Sequence, residues 1–521
     1  MAKKFSRRHF LKTVGTGLAA GAAISSPPFI IRNAYAGRKT VRFLGAENVT
    51  GNWDPTANTS LANVLIETQT FNHCIFYPMI PGRDPLSPTN QIIENIKMIN
   101  PFVAEYKVRK GIKFHNGKDC LAEDIKASIE YASTPGRPRG VIPGAEMIDV
   151  KIINSHAALV SSEAKGIPLN NSLNYLHPFV CIMSAQDIVE KNIEKRINGT
   201  GPFKFIAQEG DNTILEANPD YYLGRPKIDR LVFSYVPDST TRIMSLLSGE
   251  AQMIERLEPE QFQSLSKNDK VRVTKTVSIE NKYLHFRCNK KPFDDLRVRR
   301  AACHAIDRST IVEIMGEAGT AVYNIVPRGK IGYSDLSTIP EYDPHKCQQL
   351  LSDAGYPKGK GLPELEYITS TGFYPKTKEY GEIIQALMQE QGFPVKLTVH
   401  EPATWNERIY NLAEGHMVDC GWAATAPEPG VHLNLLWNNP PALQNGLNDK
   451  DVNASIAKQL QEPNLTKRIE ILKTETYPLL VERSPSLALF TSVMLHGMAK
   501  QLEGVHIYPD GSLNLLKADV V

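Results

Sequence analysis

Hydrophobic and polar positions follow two different periods along the chain. The apolar runs Thr40–Gly45 and Leu231–Val236 are typical of strands, whereas Ala122–Ala132 and Ser239–Ser248 repeat apolar residues at helical spacing. Gly249 follows the last of these segments, where a glycine commonly ends a helix. The alternation of strand and helix patterns predicts an α/β protein.

The second half of the chain continues this pattern. The predicted elements there are helices Leu296–Ala305, Ser309–Met315, Pro344–Ala354 and Glu379–Gln391, with strands Leu365–Thr369 and Val395–Val399. Asp294 or Asp295 is placed to cap the first helix. Tyr283–Asn289 enters this region and Leu487–Leu495 leaves it. Two such crossings predict two lobes joined by a two-stranded hinge, which can close over a ligand.

Residues 81–195 have the composition of a smaller, inserted subdomain. Phe102–Arg109 and Ile112–Phe114 are expected to form a hairpin. His115-Asn116-Gly117 predicts a turn in preference to a ligand set, because Asn-Gly supplies the positive φ that hairpin turns need. Gly199-Thr200-Gly201-Pro202 predicts a tight turn in preference to a phosphate cradle, because no Lys-Ser follows it.

Length and charge limit the possible functions. A chain of 521 residues is too long for one ordinary core, so two or three domains are expected. The formal net charge of +3 becomes −3 without the six basic residues of positions 1–36, so we expect no nucleic-acid surface. The seven cysteines are scattered, which leaves open one or two disulfides or buried thiols.

The first 36 residues predict a signal peptide for twin-arginine export. Ser6–Lys12 carries the paired arginines, Val14–Ile24 is mildly apolar, and Ala34-Tyr35-Ala36 is a small-x-small cleavage site. We expect cleavage after Ala36, with the Tat export machinery as a partner and the periplasm as the destination. No cysteine for acylation follows, which favours a free protein. A basic amphipathic helix is the alternative interpretation.

Several stretches, in order, resemble one family. They are Val108–Gly117 with Ala122–Asp124, Gly199–Phe203, Asn218–Tyr222, Pro292–Arg308, Leu350–Pro357 and Gly421-Trp422. Together they resemble the extracellular solute-binding proteins of family 5, the peptide-, nickel- and opine-binding class of ABC transporters. The resemblance implies an α/β, two-lobe periplasmic binding protein-like II fold of the cluster C type, with an extra subdomain inserted in the first lobe. Its expected ranges are 37–80, 196–285 and 485–521 for the first lobe, 81–195 for the inserted subdomain and 286–484 for the second lobe.

The implied function is capture without chemistry. A monomer would hold a peptide-like or opine-like molecule between the lobes and deliver it to an ABC permease and its ATPase. The same fold carrying an oligosaccharide, a nickel chelate or haem is the alternative, and a role with a chemoreceptor or as a chaperone stays open. An exported hydrolase is more remote, because no nucleophile or zinc-protease motif is present. Thirteen dispersed histidines predict neither a metal site nor a cofactor.

The resemblance also suggests ligand contacts. Peptide-binding relatives carry a carboxylate three residues after the tryptophan of their Gly-Trp pair, and it holds the peptide amine; here that position is Thr425. A neutral hydroxyl cannot replace that charge-assisted contact. Either Glu428 takes over the role or the ligand lacks a free amine. Trp422 either stacks on the ligand or packs beneath the loop.

Two further segments contribute candidates. Asn52 and Trp53 belong to the turn Gly51–Pro55, which matches a family loop at the mouth of the cleft. Trp53 either faces the ligand or packs under this loop. Tyr374 and Lys378 lie just before the predicted helix Glu379–Gln391, where relatives place a basic group for the ligand carboxylate.

Overall fold

The structure is a computed structural model that describes residues 38–57, 60–76, 89–134, 148–169, 171, 180–423, 427–438 and 442–521. The predicted signal peptide, Met1–Ala36, lies outside the described residues, so the export motif and the cleavage site stay predictions. Residues Thr40–Val521 form a unit of their own.

Strands and helices alternate along this unit. The strands are β1 Thr40–Gly45, β2 Ile75–Phe76, β3 Thr89–Asn90, β4 Ile93–Asn100, β5 Val103–Val108, β6 Asp149–Asn154, β7 Ala157–Ser161, β8 Phe203–Glu209, β9 Asn212–Ala217, β10 Arg230–Tyr235, β11 Met253–Ile254, β12 Val271–Phe286, β13 Gly319–Thr320, β14 Leu365–Ser370, β15 Val395–His400, β16 Met417–Ala423, β17 Ser486–Ala499, β18 Leu502–Glu503, β19 His506–Ile507, β20 Leu513–Asn514 and β21 Asp519–Val520.

The helices are α1 Leu61–Thr70, α2 Ala122–Ala132, α3 Ala185–Val189, α4 Ser239–Ser248, α5 Pro259–Leu265, α6 Leu296–Ala305, α7 Arg308–Met315, α8 Pro344–Asp353, α9 Thr377–Glu390, α10 Pro402–Tyr410, α11 Gly430–Leu433, α12 Lys450–Gln461, α13 Leu465–Ile471 and α14 Tyr477–Arg483. Short 3₁₀ turns lie at Glu163–Lys165, Gly316–Ala318 and Pro357–Gly359, and π turns follow α11 and α13 at Asn434–Asn438 and Leu472–Thr476.

A mixed, eleven-stranded sheet runs through the unit. Its order is β15-β14-β16-β12-β17-β11-β1-β10-β9-β8, with β13 paired to β17. At one end β14 is parallel to both β15 and β16, and at the other β1 is parallel to both β10 and β11. The antiparallel strands β12 and β17, of 16 and 14 residues, lie between these two parallel sets. This arrangement confirms the α/β class and the two-lobe architecture.

The ladder between β12 and β17 is irregular near its middle. Its register shifts between Val277 and Asn281 and again between Lys282 and Tyr283. Bulges of this kind bend a strand and increase its local twist. From Glu280 onwards β12 also pairs with β16, the neighbouring strand of the second lobe. The irregular stretch therefore lies where the two lobes meet, on the two strands that match the predicted crossings.

A separate antiparallel sheet of order β4-β5-β7-β6 lies within the predicted inserted segment. Helix α2 packs on it, and Ile125 and Ile129 share a buried core with Tyr106 and Val160. The segment thus has a hydrophobic core distinct from that of the large sheet. Its outer boundaries, and those of the lobes, remain predictions.

One predicted pairing is wrong. Phe102–Arg109 does not form a hairpin with Ile112–Phe114, because its strand β5 pairs with β4 and β7 instead. The turn His115–Gly117 closes a single bridge between Lys113 and Asp119, and Gly117 has the expected positive φ of 87°. The correct partner, β4, is mostly exposed and lacks a clear apolar alternation, which is why its sequence pattern is weak.

Local signals elsewhere were accurate. Helices α2, α4 and α6 have the predicted bounds. The carboxylate of Asp295 caps α6, accepting a hydrogen bond of 2.8 Å from the backbone N–H of Arg297. The glycines at 199 and 201 have a different role from the predicted tight turn: they let the chain pass close to the backbone of Gln69 and Thr70, which a Cβ at either position would overlap.

None of the seven cysteines forms a disulfide in the structure. Six of the seven are buried and Cys288 is half-buried, in keeping with the buried-thiol interpretation. Burial raises the pKa of the Cys74 thiol to about 12, so this thiol is neutral and packs as a small apolar side chain.

Among the described residues no helix has the length and apolar character needed to cross a membrane, and no three metal-binding side chains converge.

Candidate ligand site between the lobes

The carboxyl ends of the parallel strands mark the expected position of the ligand cleft. Strands β14, β15 and β16 end together at one edge of the second lobe, and β1, β10 and β11 end together in the first. Loops beyond the carboxyl ends of such strands are where open α/β sheets bind ligands. The two edges face each other, because Arg256, just after β11, donates a 2.7 Å hydrogen bond to the carbonyl of Phe373, just after β14.

Arg256 is the first-lobe centre of this contact. Its φ is 51°, a costly conformation for a residue with a side chain, and such strain often lies at functional positions. Its guanidinium pairs with Glu47 and lies 5.5 Å from the centre of the Phe373 ring. Burial disfavours the charge, but Glu47 and Glu255 outweigh this effect and hold the pKa of Arg256 above its ordinary value. Arg256 is therefore a fixed cation in the cleft.

A second buried ion pair lies on the hinge strand β12. The ammonium of Lys282 donates a 2.6 Å hydrogen bond to Glu280 and lies over the face of the Tyr374 ring. Burial lowers the pKa of Lys282, while Glu280 opposes that shift. A Cβ at Gly421 would overlap the Glu280 carboxylate. A larger residue at 421 would therefore have to displace the ends of the Glu280 and Lys282 side chains.

Aromatic side chains cluster on the second-lobe side of the contact between the lobes, with Trp405 buried beneath the others. Phe373, Tyr374 and Trp405 have ring centroids 4.6–5.9 Å apart, and Trp422 packs against the same hydrophobic cluster. Trp422 is half-buried, and its indole N–H donates to the side-chain oxygen of Gln444 at 3.3 Å. We call Phe373, Tyr374, Trp405 and Trp422 the aromatic cluster. Two of the sequence-predicted site residues, Tyr374 and Trp422, meet in it.

The other predicted residues lie elsewhere. Trp53 is buried in the first-lobe core with its ring 4.9 Å from that of Phe205, which favours the packing interpretation. Asn52 stabilises its own loop, its side-chain oxygen accepting a 2.9 Å hydrogen bond from the backbone of Asp54. Lys378 is exposed on α9 and pairs with a glutamate one turn along the same helix. Thr425 lies outside the described residues.

Glu428 is buried beside Arg468. The two guanidinium nitrogens of Arg468 donate to its two carboxylate oxygens at 2.6 and 2.5 Å, and one of these oxygens also accepts a 3.0 Å bond from the backbone of Gly430. Both oxygens are therefore engaged. For Glu428 to bind a ligand amine, Arg468 would have to release it and remain as a buried, unpaired cation, which is costly.

Sequence reasoning missed the cations of the cleft. Arg256 and Glu47 are 209 positions apart and belong to no local pattern. Glu280 and Lys282 lie at alternate positions of β12 and therefore on one face of it. The strand is rich in polar residues throughout, so its sequence did not distinguish this pair from solvent-exposed charges.

A family match decides the class of protein. The family described as bacterial extracellular solute-binding proteins, family 5 Middle, matches residues 99–444. The chain belongs to this family. Family 5 members bind solutes for ABC importers, and the chain is therefore a solute-binding protein that works with an ABC permease.

Relatives of this family 5 protein span most of its length. Heme-binding protein A of Haemophilus influenzae is 29% identical over 401 residues, covering 68% of this chain and 73% of its own. The glutathione-binding protein GsiB of Shigella flexneri is 25% identical over 515 residues, covering 94% and 95%.

Solved structures agree with the fold. The dipeptide binding protein of Pseudoalteromonas sp. SM9913, in complex with Met-Leu, has a TM-score of 0.79 at 20% identity and covers 93% of this chain and all of its own. The binding protein AgaA from A. tumefacien R10, in complex with agropinic acid, also has a TM-score of 0.79 at 20% identity, covering 92% and 99%. These similarities confirm the two-lobe binding-protein fold.

Proposed function

We propose that this family 5 protein captures a small peptide-like or opine-like molecule in the cleft and hands it over unchanged. The observation that carries the proposal is the meeting of the aromatic cluster with two ion pairs, Arg256–Glu47 and Lys282–Glu280, where the lobes touch. The proposed ligand contacts are Tyr374 and Trp422 from the second lobe and Arg256 from the first.

The charges of the cleft suit a zwitterion. Each cation is matched by a carboxylate. Unlike the fully buried Arg468–Glu428 pair, Arg256, Glu47 and Glu280 keep 15–20% of their side chains exposed, so a ligand could reach a donor for its carboxylate and an acceptor for its amine within one region. Peptides and opines combine these groups on one small molecule. The aromatic faces add apolar contact for a side chain or a planar group. Relatives named for glutathione, and structures solved with Met-Leu and agropinic acid, support the same chemical class.

Haem is the second candidate. It is supported by the name of heme-binding protein A, the relative with 29% identity. The cleft offers haem little for its iron: His432 is buried, with its Nε2 donating to the carbonyl of Trp422 at 3.0 Å. A haem ligand would therefore depend on the aromatic cluster and on Arg256, which pairs well with a propionate.

The test begins with the ligand that the protein already holds. Native purification from the periplasm followed by mass spectrometry should identify a small zwitterion, and calorimetry should then measure its affinity. Trp422→Ala should weaken binding by about tenfold or more, the loss expected for a stacked aromatic side chain. Trp53→Phe is the matched control and should bind as the wild type does.

Two results would contradict the proposal. Equal affinity of the Trp422→Ala and wild-type proteins would remove the aromatic cluster from the site. Chemical conversion of the recovered compound by the purified protein would show that the protein is an enzyme and would contradict delivery of the ligand unchanged.

A further inference from the structure

Arg468, on α13, is the centre of a buried polar network. Besides its two bonds to Glu428, its guanidinium donates to the side-chain oxygen of Gln459 at 3.0 and 2.9 Å and to that of Asn171 at 2.8 Å. All four side chains are buried. An arginine with this many acceptors fixes the positions of its partners, because the planar guanidinium holds each of them in one orientation.

Asn171 brings the inserted segment into this network. Its side-chain N–H₂ donates to the carbonyls of Leu460 and Glu462, both at 2.9 Å, at the carboxyl end of α12 in the second lobe. Leu460 also packs into the core of the β4–β7 sheet. One buried amide therefore caps a helix of the second lobe and contacts Arg468 at the same time. These contacts exist only while the inserted segment and the second lobe are together.

The network continues from Glu428 to Trp422. Glu428 accepts from the backbone N–H of Gly430, the first residue of α11. From α11, His432 donates from Nε2 to the Trp422 carbonyl at 3.0 Å. Burial lowers the pKa of His432 to about 3, so the ring is neutral and its single proton faces the carbonyl. A continuous set of hydrogen bonds and one short helix thus joins Asn171 to Trp422.

We infer that Asn171, acting through Arg468 and Glu428, is a positioning residue for Trp422, so that docking of the inserted segment on the second lobe sets the tryptophan for ligand contact. The inference rests on the proposed function, in which Trp422 touches the ligand. When the segments separate, Arg468 loses one acceptor and meets water, which competes for its bond to Glu428. The start of α11 and the contact between His432 and Trp422 then loosen.

The test uses Asn171→Ala in the full chain. Asn218→Ala is the matched control, because Asn218 is an equally buried amide whose N–H₂ donates to the Gly201 carbonyl within the first lobe. Fluorotryptophan labelling gives one fluorine resonance for each of the four tryptophans, and single Trp→Phe variants assign them. The Trp422 resonance should shift or broaden in Asn171→Ala and keep its position in Asn218→Ala. The Trp53 resonance should not move in either variant.

A Trp422 resonance that is the same in both variants would overturn the inference, whether or not a ligand is known. Arg468→Lys keeps the charge but loses the fork, and it should shift the same resonance if Asn171→Ala fails to fold. With the recovered ligand, Asn171→Ala should weaken binding about two- to thirtyfold, within the usual range of couplings between sites. A shifted resonance combined with unchanged binding of Trp422→Ala would uphold the positioning link and refute the proposed ligand contact.

Discussion

A buried histidine is expected to make the free energy of unfolding of this protein sensitive to acid. His285 is fully buried, its Nδ1 lies 2.7 Å from the Ser486 hydroxyl, and burial, aided by Arg287, lowers its pKa to about 3. An unfolded chain would protonate this group near pH 6.5. Between about pH 6.5 and about pH 3 the unfolded state therefore binds one proton more than the folded state. Over this range the free energy of unfolding falls as the pH falls.

His285→Asn should remove this contribution. Between about pH 7.5 and about pH 5 the loss of unfolding free energy should be about 2 kcal/mol smaller in the variant than in the wild type. Urea unfolding at the two pH values measures it. The exposed residue His345, changed to Asn, is the control and should leave the wild-type difference in place. The same pH dependence in His285→Asn and wild type would show that His285 does not stay neutral.

Gly421 is a second residue whose identity has a local physical cause. Gly421→Ala should displace the side-chain ends of Glu280 and Lys282 and lower the free energy of unfolding by about 1–3 kcal/mol, the usual cost of overpacking. Gly381→Ala is the control, because its new methyl group would meet only side-chain carbons 3.3–3.5 Å away. Thermal unfolding distinguishes the two, and equal melting temperatures would contradict the packing argument.

At the scale of elements, the predicted signal peptide can be tested separately from the folded protein. Changing both Arg7 and Arg8 to lysine should leave the protein in the cytoplasm, since twin-arginine export depends on that pair. Replacing Lys3 and Lys4 with glutamine, which keeps the pair, should preserve export. Cell fractionation measures both, and N-terminal sequencing of the exported protein should begin at Gly37. Export of the double lysine variant would point to another pathway.

Strands β12 and β17 carry the interruptions at which we expect the lobes to rotate. The two register shifts lie within six residues of each other, between residues 277 and 283. On one side of this stretch β12 pairs with β16 of the second lobe, and on the other β17 pairs with β11 of the first lobe. Bending at this stretch changes few hydrogen bonds, which is the property that a hinge between rigid bodies requires.

At the scale of the whole molecule, a hydrogen bond from Arg256 to Phe373 joins the two lobes. Arg256→Gln removes a charged hydrogen bond to Phe373, worth about 1.5–3 kcal/mol. The ratio of closed to open molecules should fall about tenfold to a hundredfold, and small-angle scattering should show a larger radius of gyration. Lys376→Gln is the control, because its ion pair with the exposed Glu260 is open to solvent and weak. An unchanged radius in Arg256→Gln would refute the role of this contact.

Local signals in the chain predicted several elements correctly. The capping aspartate at Asp295, the bounds of α2, α4 and α6, and the positive φ of Gly117 depend on neighbours close in sequence. Ordered motifs across the chain indicated the two-lobe fold, which the family match confirmed. The wrong pairing concerned β5. Both edges of this strand are occupied, one by β4 and one by β7, and the local sequence does not show which segments pair with it.

The tertiary structure alone decided the partners of the buried charges. Arg256 meets Glu47 across 209 positions, Arg468 meets Glu428 across 40, and Asn171 meets Arg468 across 297. Periodicity reports which face of an element is buried, but not which other element covers it. A buried charge is stable only beside a specific partner, so the electrostatics of the cleft follow from long-range packing that no local pattern contains.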